Sequence, residues 1–589
     1  MNGKPFALNL EDLGGGLNEK APTSLDENQW AILENWLSVG TSLQRRDGIE
    51  RLTSTPHTED IGAIARFAPP DETERLLIGS ASGVSRLVNG AFMPLAVIDG
   101  RVYPSLIYPW YFRQYNSQML ACQRGNGGLK RIFGDSIMDA GIPAPITAPT
   151  IADGGAGVMP AGDYYLAVSF TNRYTADEGN LSLISNKLTL GASKQISATG
   201  IPTSTNPQLT GRRLHLTLPN AAGVFYPVQT IDNMVATTAT INVLAPDGYG
   251  KVAHPNTYGM PPDQVWILEL HKDRLIVTDG KSIFWSLLGM MQAFDGGLIP
   301  VSTDDGYKTN GLFSWAKHGL VVSKANGAWI LIGDGPSDWS LDQLTPHGAP
   351  SGLSFGDCDG TLFWYTGENI VQSQGTGAEI VRTTDRVRAT LDSIPDSKKA
   401  DAVAAVMPGI NRYLLSVPVS ETGTTRKLLV LDYVSGAWET FPSSVPSFMS
   451  RAISTGNEEI LYGTFADRHL YKLLTGDTDN GTPIVARARS KALGYGRQGG
   501  RRIVRFVSVL CPGIDENLTI RIYNDLQTTV AKERTKSLSR DGWKRFGVST
   551  RGNPATLHQV EVEYTGTTKL QLDQLLVEGV EYPRRGKVR

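Results

Sequence analysis

The side chains that could do chemistry in this sequence are dispersed. Its eight histidines, His57, His215, His254, His271, His318, His347, His469 and His558, follow no metal-ligand spacing, and neither a GxxxxGK[ST] loop nor an HExxH motif occurs. The three cysteines, Cys122, Cys358 and Cys511, are far apart and form no CxxC pair, so neither a disulfide framework nor a thiolate zinc site is indicated and synthesis in a reducing compartment is expected. Two fragments have the oxygen-rich look of calcium loops, Asp357-Cys358-Asp359-Gly360 and Asp477-Thr478-Asp479-Asn480-Gly481. Each lacks the later bidentate Glu, so each reads as a turn. No catalytic, cofactor-binding or metal residue is assigned, no cofactor is expected, and the chain is expected not to be an enzyme.

The segment Ser302-Thr303-Asp304-Asp305-Gly306-Tyr307-Lys308-Thr309 resembles the sialidase Asp-box, a structural turn between propeller strands, but has Thr309 where an aromatic is expected. It points to blades and not to hydrolysis. Paired carboxylates for glycoside cleavage cannot be picked out of one sequence, which leaves a hydrolase open.

The elements that would position any site are β-rich. A chain of 589 residues with 40% hydrophobic residues, 63 Gly and 33 Pro favours many short strands joined by turns, in several domains. The N-terminal stretch has an acidic pair where a signal peptide needs an apolar core, and no run approaches the ~18 apolar residues of a membrane span, so the chain is expected to be cytosolic when made. Near the start, Ser24-Leu25-Asp26-Glu27 reads as a capping box opening a short amphipathic helix with Trp30, Leu33, Trp36 and Leu37 on one face. Leu13-Gly14-Gly15-Gly16-Leu17-Asn18 before it reads as a flexible linker or as an arm that orders on a neighbour.

Hairpin-like units then begin near Leu76, Gln118, Arg274, Leu320, Thr361, Tyr413 and Ile460, at spacings of 41 to 52 residues except for one of 156. That period is what a four-stranded propeller blade requires. Asn89-Gly90-Ala91-Phe92, Asn326-Gly327-Ala328-Trp329 and Ser435-Gly436-Ala437-Trp438 each set a tight turn before an aromatic, which would bury a ring between blades. The long spacing leaves room for an inserted domain of short strands, bracketed by Pro143, Pro145 and Pro149 on one side and Pro255, Pro261 and Pro262 on the other. After Thr482, five alternating strands starting at Ile484, Val504, Leu518, Val560 and Leu570 read as a half-buried sandwich. The expected fold is therefore all-β: a propeller of six or seven blades, an inserted immunoglobulin/fibronectin-like sandwich and a C-terminal β-sandwich. The boundaries are 1–65 for the arm and helix, 66–142 and 263–482 for the propeller, 143–262 for the insert and 483–589 for the C-terminal domain with its basic tail.

Charge is unevenly distributed. From Ile484 onward there are 20 Lys+Arg against 10 Asp+Glu, and before it 36 against 48, an asymmetry that bears on partners more than on fold.

Leu13-Gly14-Gly15-Gly16-Leu17-Asn18, the stretch from Leu25 to Asn35-Trp36, and Leu43-Gln44-Arg45-Arg46-Asp47-Gly48 together resemble the start of tail proteins of short-tailed bacteriophages, although Asp47 stands where that pattern often has Pro. The family includes tail nozzle or tail-hub proteins and packaged-DNA stabilisation proteins. The resemblance implies a virion protein, assembled as a ring typically of six copies below the portal and adaptor. Double-stranded DNA would pass through its lumen without sequence specificity, and fibres, spikes or a needle would attach to it. A basic lumen would hold phosphates and retain DNA, so the acidic body is expected to face the channel. The basic cluster Arg497, Arg501, Arg502, Arg584, Arg585, Lys587 and Arg589 is then expected to dock an acidic neighbour. A head-closure or DNA-stabilising protein is the near alternative. A glycan-binding propeller stacking sugars on Trp315, Trp329, Trp339 and Trp364 is the alternative from another class.

Overall fold

The computed structural model describes residues 3–69, 73–98, 109–124, 127–172, 175–244, 248–250, 252–315, 317–375, 381–442, 446–454, 457–464, 467–494 and 500–582. Among the described residues, seven antiparallel blade units succeed one another in the pattern of a propeller, the sixth and seventh being linked through N- and C-terminal strands into one larger sheet. Their strands run from Ala63 to Pro94 (blade 1), Trp110 to Asp139 (blade 2), Ile267 to Pro300 (blade 3), Gly311 to Thr345 (blade 4), Gly356 to Arg382 (blade 5), Val403 to Phe441 (blade 6) and Phe448 to Leu473 (blade 7). Each hairpin start read from the sequence falls on the second strand of a blade, from Arg75–Ser80 in the first to Asn457–Gly463 in the last.

Closure uses both ends of the chain. The Ile49–Arg51 strand pairs with Leu470–Leu473, in the register Tyr471↔Arg51 to Leu473↔Ile49, and so supplies the outermost strand of blade 7. The first strand of blade 7 packs against that of blade 1, which shuts the ring.

Tryptophans peg one blade to the next. The indole Nε1 of Trp110 donates to Ser80 O at 2.7 Å, that of Trp315 to Gly360 O at 3.0 Å, that of Trp364 to His347 O at 3.2 Å and that of Trp438 to Thr383 O at 3.1 Å. All four rings are buried, so each combines apolar area with a satisfied N–H across an inter-blade seam. The tight turns before aromatics do not occupy one fixed place: Asn89-Gly90 and Ser435-Gly436 precede the fourth strand of their blades, whereas Asn326-Gly327 precedes the third.

The insert between blades 2 and 3 is a sandwich. One sheet holds Thr150–Met159, Lys194–Thr199 and Ala239–Ile241, the other Asp177–Glu178, Leu166–Asn172, Gly211–Leu216 and Tyr226–Ile231. Tyr164, Leu166, Val168, Ile196, Leu214 and Leu216 fill the space between them. Asp177 joins the insert to its host by pairing with Arg131 of blade 2 and accepting from Gln292 Nε2 of blade 3 at 2.9 Å.

The C-terminal sandwich contains N-terminal strands. One sheet runs Trp30–Glu34, Thr482–Ser490, His558–Gly566, Asn517–Asn524, Val530–Ser537; the other runs Lys4–Leu10, Gln574–Tyr582, Arg501–Cys511, Gly542–Gly547. The helix expected from Ser24 is absent, and Trp30–Glu34 is a strand. A bulge between Trp30 and Ile32 brings Trp30 and Leu33 to one side, and Asn35, at φ 58°, breaks the ladder before Trp36. Together these imitate helical spacing in a strand. The Gly14-Gly15-Gly16 arm packs on its own chain: a Cβ on Gly14 would lie 2.0 Å from Gly40 O, and one on Gly16 2.7 Å from Trp438 N. Glycine is required there by close approach.

No helix among the described residues is long and apolar enough to cross a membrane.

Candidate assembly interface

The seam where propeller meets C-terminal sandwich holds two fully buried arginine side chains. The sheet of blade 6 continues through it: Glu34 pairs in parallel with Thr440, and the other edge of Trp30–Glu34 pairs with Thr482–Ser490 from Trp30↔Ser490 to Glu34↔Arg487. Leu17 N donates to Trp438 O at 2.6 Å and Trp30 Nε1 to Leu13 O at 2.8 Å, so the glycine arm is sewn into the same junction.

Arg45 and Arg46 clamp this junction from inside, both with side chains fully buried. Arg46 Nη1 and Nη2 reach Asp479 Oδ1 and Oδ2 at 2.9 and 2.7 Å, its Nε donates to Asn35 Oδ1 at 2.7 Å, and its guanidinium lies 5.3 Å from the Phe441 ring. Arg45 Nη1 donates to Asp477 O at 2.9 Å and Nη2 to Thr567 O at 3.3 Å. The Arg45-Arg46 pair of the stretch that carries the sequence resemblance is thus a two-arginine clamp joining the N-terminal segment, the blade 7 exit and the sandwich. Its carboxylate comes from the second calcium-like fragment, which serves as a turn with Asn480 and Gly481 at positive φ. The first fragment is also a turn, closed by Gly360 N donating to Asp357 Oδ1 at 2.7 Å.

Two hollows flank the bridging strand. One, of about 240 Å³, is lined by Leu17, Glu19, Ala31–Glu34, Lys427 and Phe441; the other, of about 560 Å³, by Asn35, Asp479, Val485, Arg487 and Glu563 among others. Next to the first, Glu439 is fully buried. Burial raises its carboxyl pKa to about 7, against the pull of Arg412 and of Ser38 N, which donates to Oε1 at 2.6 Å. Arg412 holds Asp432 at 2.7 Å and approaches Glu439 only to 3.4 Å, so its charge is committed mainly elsewhere.

Of the seven cations picked out in the sequence, Arg501 and Arg502 are described, and Arg497, Arg584, Arg585, Lys587 and Arg589 lie outside the described residues. Arg501 is exposed at the start of its strand. Arg502 is buried, with Nη1 donating to Thr556 O and Nη2 3.6 Å from Glu581 Oε1, which makes it an internal strut. Sequence reading passed over a second basic group on Val530–Ser537 and Gly542–Gly547: Lys532, Arg534 and Lys536 stand at alternate positions of one strand, with Lys544 and Arg545 on the next. The alternation of cations was itself a strand signal.

The arrangement closest to a nucleophile site lies in the insert. His215 Nε2 is 3.0 Å from Ser169 Oγ and 2.8 Å from Glu178 Oε1, and Arg213 Nη1 donates to Glu178 Oε2 at 2.6 Å. A hydrolase triad places serine and carboxylate on opposite ring nitrogens. Here both use Nε2, Nδ1 has no partner among the described residues, and Ser169 is fully buried. The geometry is that of a buried polar knot. Of the tryptophans considered for sugar stacking, Trp315 and Trp364 are the buried inter-blade pegs, and Trp339 meets Trp285 edge-on at 5.1 Å. No group of three or more His, Cys, Asp or Glu among the described residues is placed to hold a metal ion.

No family model and no curated protein sequence matches the chain. Among solved structures it is similar to a glycoside hydrolase family 43 arabinoxylan arabinofuranohydrolase from Bacillus subtilis, at 9% identity over 66% of this chain and 93% of that one, with a TM-score of 0.19. It is also similar to the Pan2 WD40 domain of Neurospora crassa, at 9% identity over 73% and 97%, with a TM-score of 0.25. An exo-β-1,3-galactanase from Phanerochaete chrysosporium matches at 9% identity over 91% and 100%, with a TM-score of 0.20. These likenesses are too low to argue from, and the propeller rests on the chain's own sheets.

Proposed function

We propose that this chain is a structural virion protein, one copy of the ring-shaped nozzle or hub of a short bacteriophage tail, through which double-stranded DNA is retained and then ejected. The observation that carries the reading is the unbroken sheet from blade 6 through Trp30–Glu34 into the C-terminal sandwich, locked by Arg45 and Arg46. The N-terminal segment is spent on fastening two domains to each other and on closing the propeller. That investment suits a part that transmits force between neighbours and does no chemistry.

Charge supports the orientation. The stretch before Ile484 carries 36 Lys+Arg against 48 Asp+Glu, so a channel lined by it would repel phosphates and let DNA pass, whereas a cationic wall would bind them through counterion release. The basic C-terminal domain would face acidic protein neighbours. Fibres or spikes would attach laterally, and the insert, anchored by Asp177 between blades 2 and 3, is one surface available to them.

Electron microscopy of the purified chain, alone and mixed with the portal and adaptor of the same particle, tests this. Closed rings of about six copies are expected, on a template where the free chain stays monomeric. A monomer that ignores the portal and adaptor but binds defined oligosaccharides on a glycan array would replace this reading with the receptor-binding one.

A further inference from the structure

We propose that the C-terminal sandwich has an open strand position, along the Gly542–Gly547 edge and beneath the overhanging Val530–Ser537 strand, that takes an extended acidic segment of a neighbouring protein. The two sheets are unequal. Among the described residues, the layer ending in Val530–Ser537 contributes five strands to the sandwich, and the facing one, ending in Gly542–Gly547, four. Lys532, Arg534 and Lys536 pair in register with Ile522, Ile520 and Leu518, whose side chains are fully buried in the sandwich core. Cross-strand partners share a face. The three cations therefore point toward the opposite sheet, yet all three are exposed, and among the described residues the facing sheet ends one strand short, at Gly542–Gly547.

The place such a strand would fill is bounded by a free ladder. Among the described residues, Gly542–Gly547 pairs only with Arg501–Cys511. Lys536 Nζ donates to Arg545 O at 2.7 Å, so the two terminal strands lie within a lysine side chain's reach of each other. Trp543, 46% exposed, offers an apolar surface beside that ladder.

Charge selects the occupant. Among the described residues no carboxylate lies within ion-pair distance of Lys532, Arg534, Lys536, Arg540 or Lys544, while Glu533 is taken by Arg521 and Glu578 by Arg545. Inward cations on a terminal strand guard against self-pairing, and a second copy offering the same strand would set cation against cation. An acidic strand meets the opposite condition. Alternate residues of an extended chain are about 6.7 Å apart, so Asp or Glu at every second position would match the row Lys532, Arg534, Lys536, with intervening side chains on the Trp543 side. A strand added beside Gly542–Gly547 would lie about 4.8 Å from it and about 10 Å beneath Val530–Ser537, the spacings of a strand in a packed sandwich. The proposal rests on the assembly reading for its setting, but strand capture can be measured without any ring, so the two can fail separately.

The test titrates the full chain into a fluorescein-labelled peptide of about eight residues, with Glu at alternate positions and Thr or Val between, and reads anisotropy at low salt. A matched peptide with Pro at the intervening positions, which cannot donate to a ladder, and a 20-base-pair duplex serve as comparisons. The Glu peptide is expected to bind at least about tenfold more tightly than the Pro peptide, and the charge-reversed variant K532E/R534E/K536E to lose at least about tenfold while gaining affinity for the corresponding Lys peptide. In the unaltered protein, amide exchange over Trp543–Gly547 should slow when the Glu peptide binds, a readout that stands even if the triple variant does not fold. Equal binding of the Pro peptide, tighter binding of the duplex, concentration-dependent self-association that the Glu peptide does not reverse, or unchanged exchange in that strand would each overturn the proposal.

Discussion

Arg46 and Asp479 meet in a bidentate ion pair at 2.9 and 2.7 Å although 433 positions separate them in the chain. Arg46 is the more deeply buried partner, with its side chain fully enclosed while Asp479 keeps 17% exposure. Removing one partner strands the other in a poorly solvated place, at a cost of about 3–5 kcal/mol. Arg46→Met and Asp479→Ala should each lower the unfolding free energy by that order, read from urea titration, and their double variant should cost clearly less than the sum. Arg46→Lys should recover little, because an ammonium cannot reach Asp479 Oδ1, Oδ2 and Asn35 Oδ1 in the planar fork that guanidinium supplies.

Gly14 separates two views of the glycine arm. In a loose linker, Gly14→Ala would be neutral or stabilise by up to about 1 kcal/mol through the unfolded state. With a new Cβ placed 2.0 Å from Gly40 O, the arm must shift away from its bed. A loss of about 1–3 kcal/mol is expected, seen as a lower melting temperature and faster proteolysis near the N-terminus.

What could be read ahead of the structure follows from range in sequence. Blades are local: the first six are four consecutive strands each and the seventh three plus Ile49–Arg51, so turn chemistry and apolar runs near Leu76, Gln118, Arg274, Leu320, Thr361, Tyr413 and Ile460 reported all seven second strands. The inter-blade role of Trp438 was legible for the same reason. Closure by Ile49–Arg51 was not, since three residues pairing with a partner some 420 positions away leave no local pattern. The Trp30 bulge imitated helical periodicity, and strand pairing with Thr482–Ser490 decided the outcome against a local capping signal. At the candidate interface, Arg502 counted as a surface cation because sequence shows charge and not burial. Val530–Ser537 was missed because a strand exposed on nearly every residue has no apolar face to announce it.

Glu439 sets a pH dependence with a definite sign. Its folded pKa of about 7 lies above the unfolded value of 4.5, so the folded state holds the extra proton between them. The stability it contributes is full below about pH 4.5 and is lost as pH rises through about 7. Glu439→Gln should flatten that slope and raise the urea midpoint at pH 8 relative to the parent, corresponding to a gain in unfolding free energy of about 3 kcal/mol at most. Parent and variant midpoints measured from pH 5 to pH 8 check it, and parallel curves would contradict the assignment.

Glu178 gives the reverse sign and bears on catalysis. Burial acts to raise its pKa, but hydrogen bonds from His215 and Ser169, with the charge of Arg213, outweigh burial and hold it well below the usual carboxylate range. Stability from this knot is present above about pH 4.5 and is lost as pH falls toward the folded value. Glu178→Gln should therefore cost about 1–3 kcal/mol at pH 7, and less as the pH is lowered toward 3. The same geometry makes Ser169 a poor nucleophile, since its hydroxyl donates to Glu178 Oε1 at 2.5 Å, leaving its proton committed to a carboxylate and not to a general base. A fluorophosphonate probe is expected to leave Ser169 unlabelled at pH 8, and Ser169→Ala is expected to lower the melting temperature of the insert. Stoichiometric labelling of Ser169 would show that the knot opens into a reactive site.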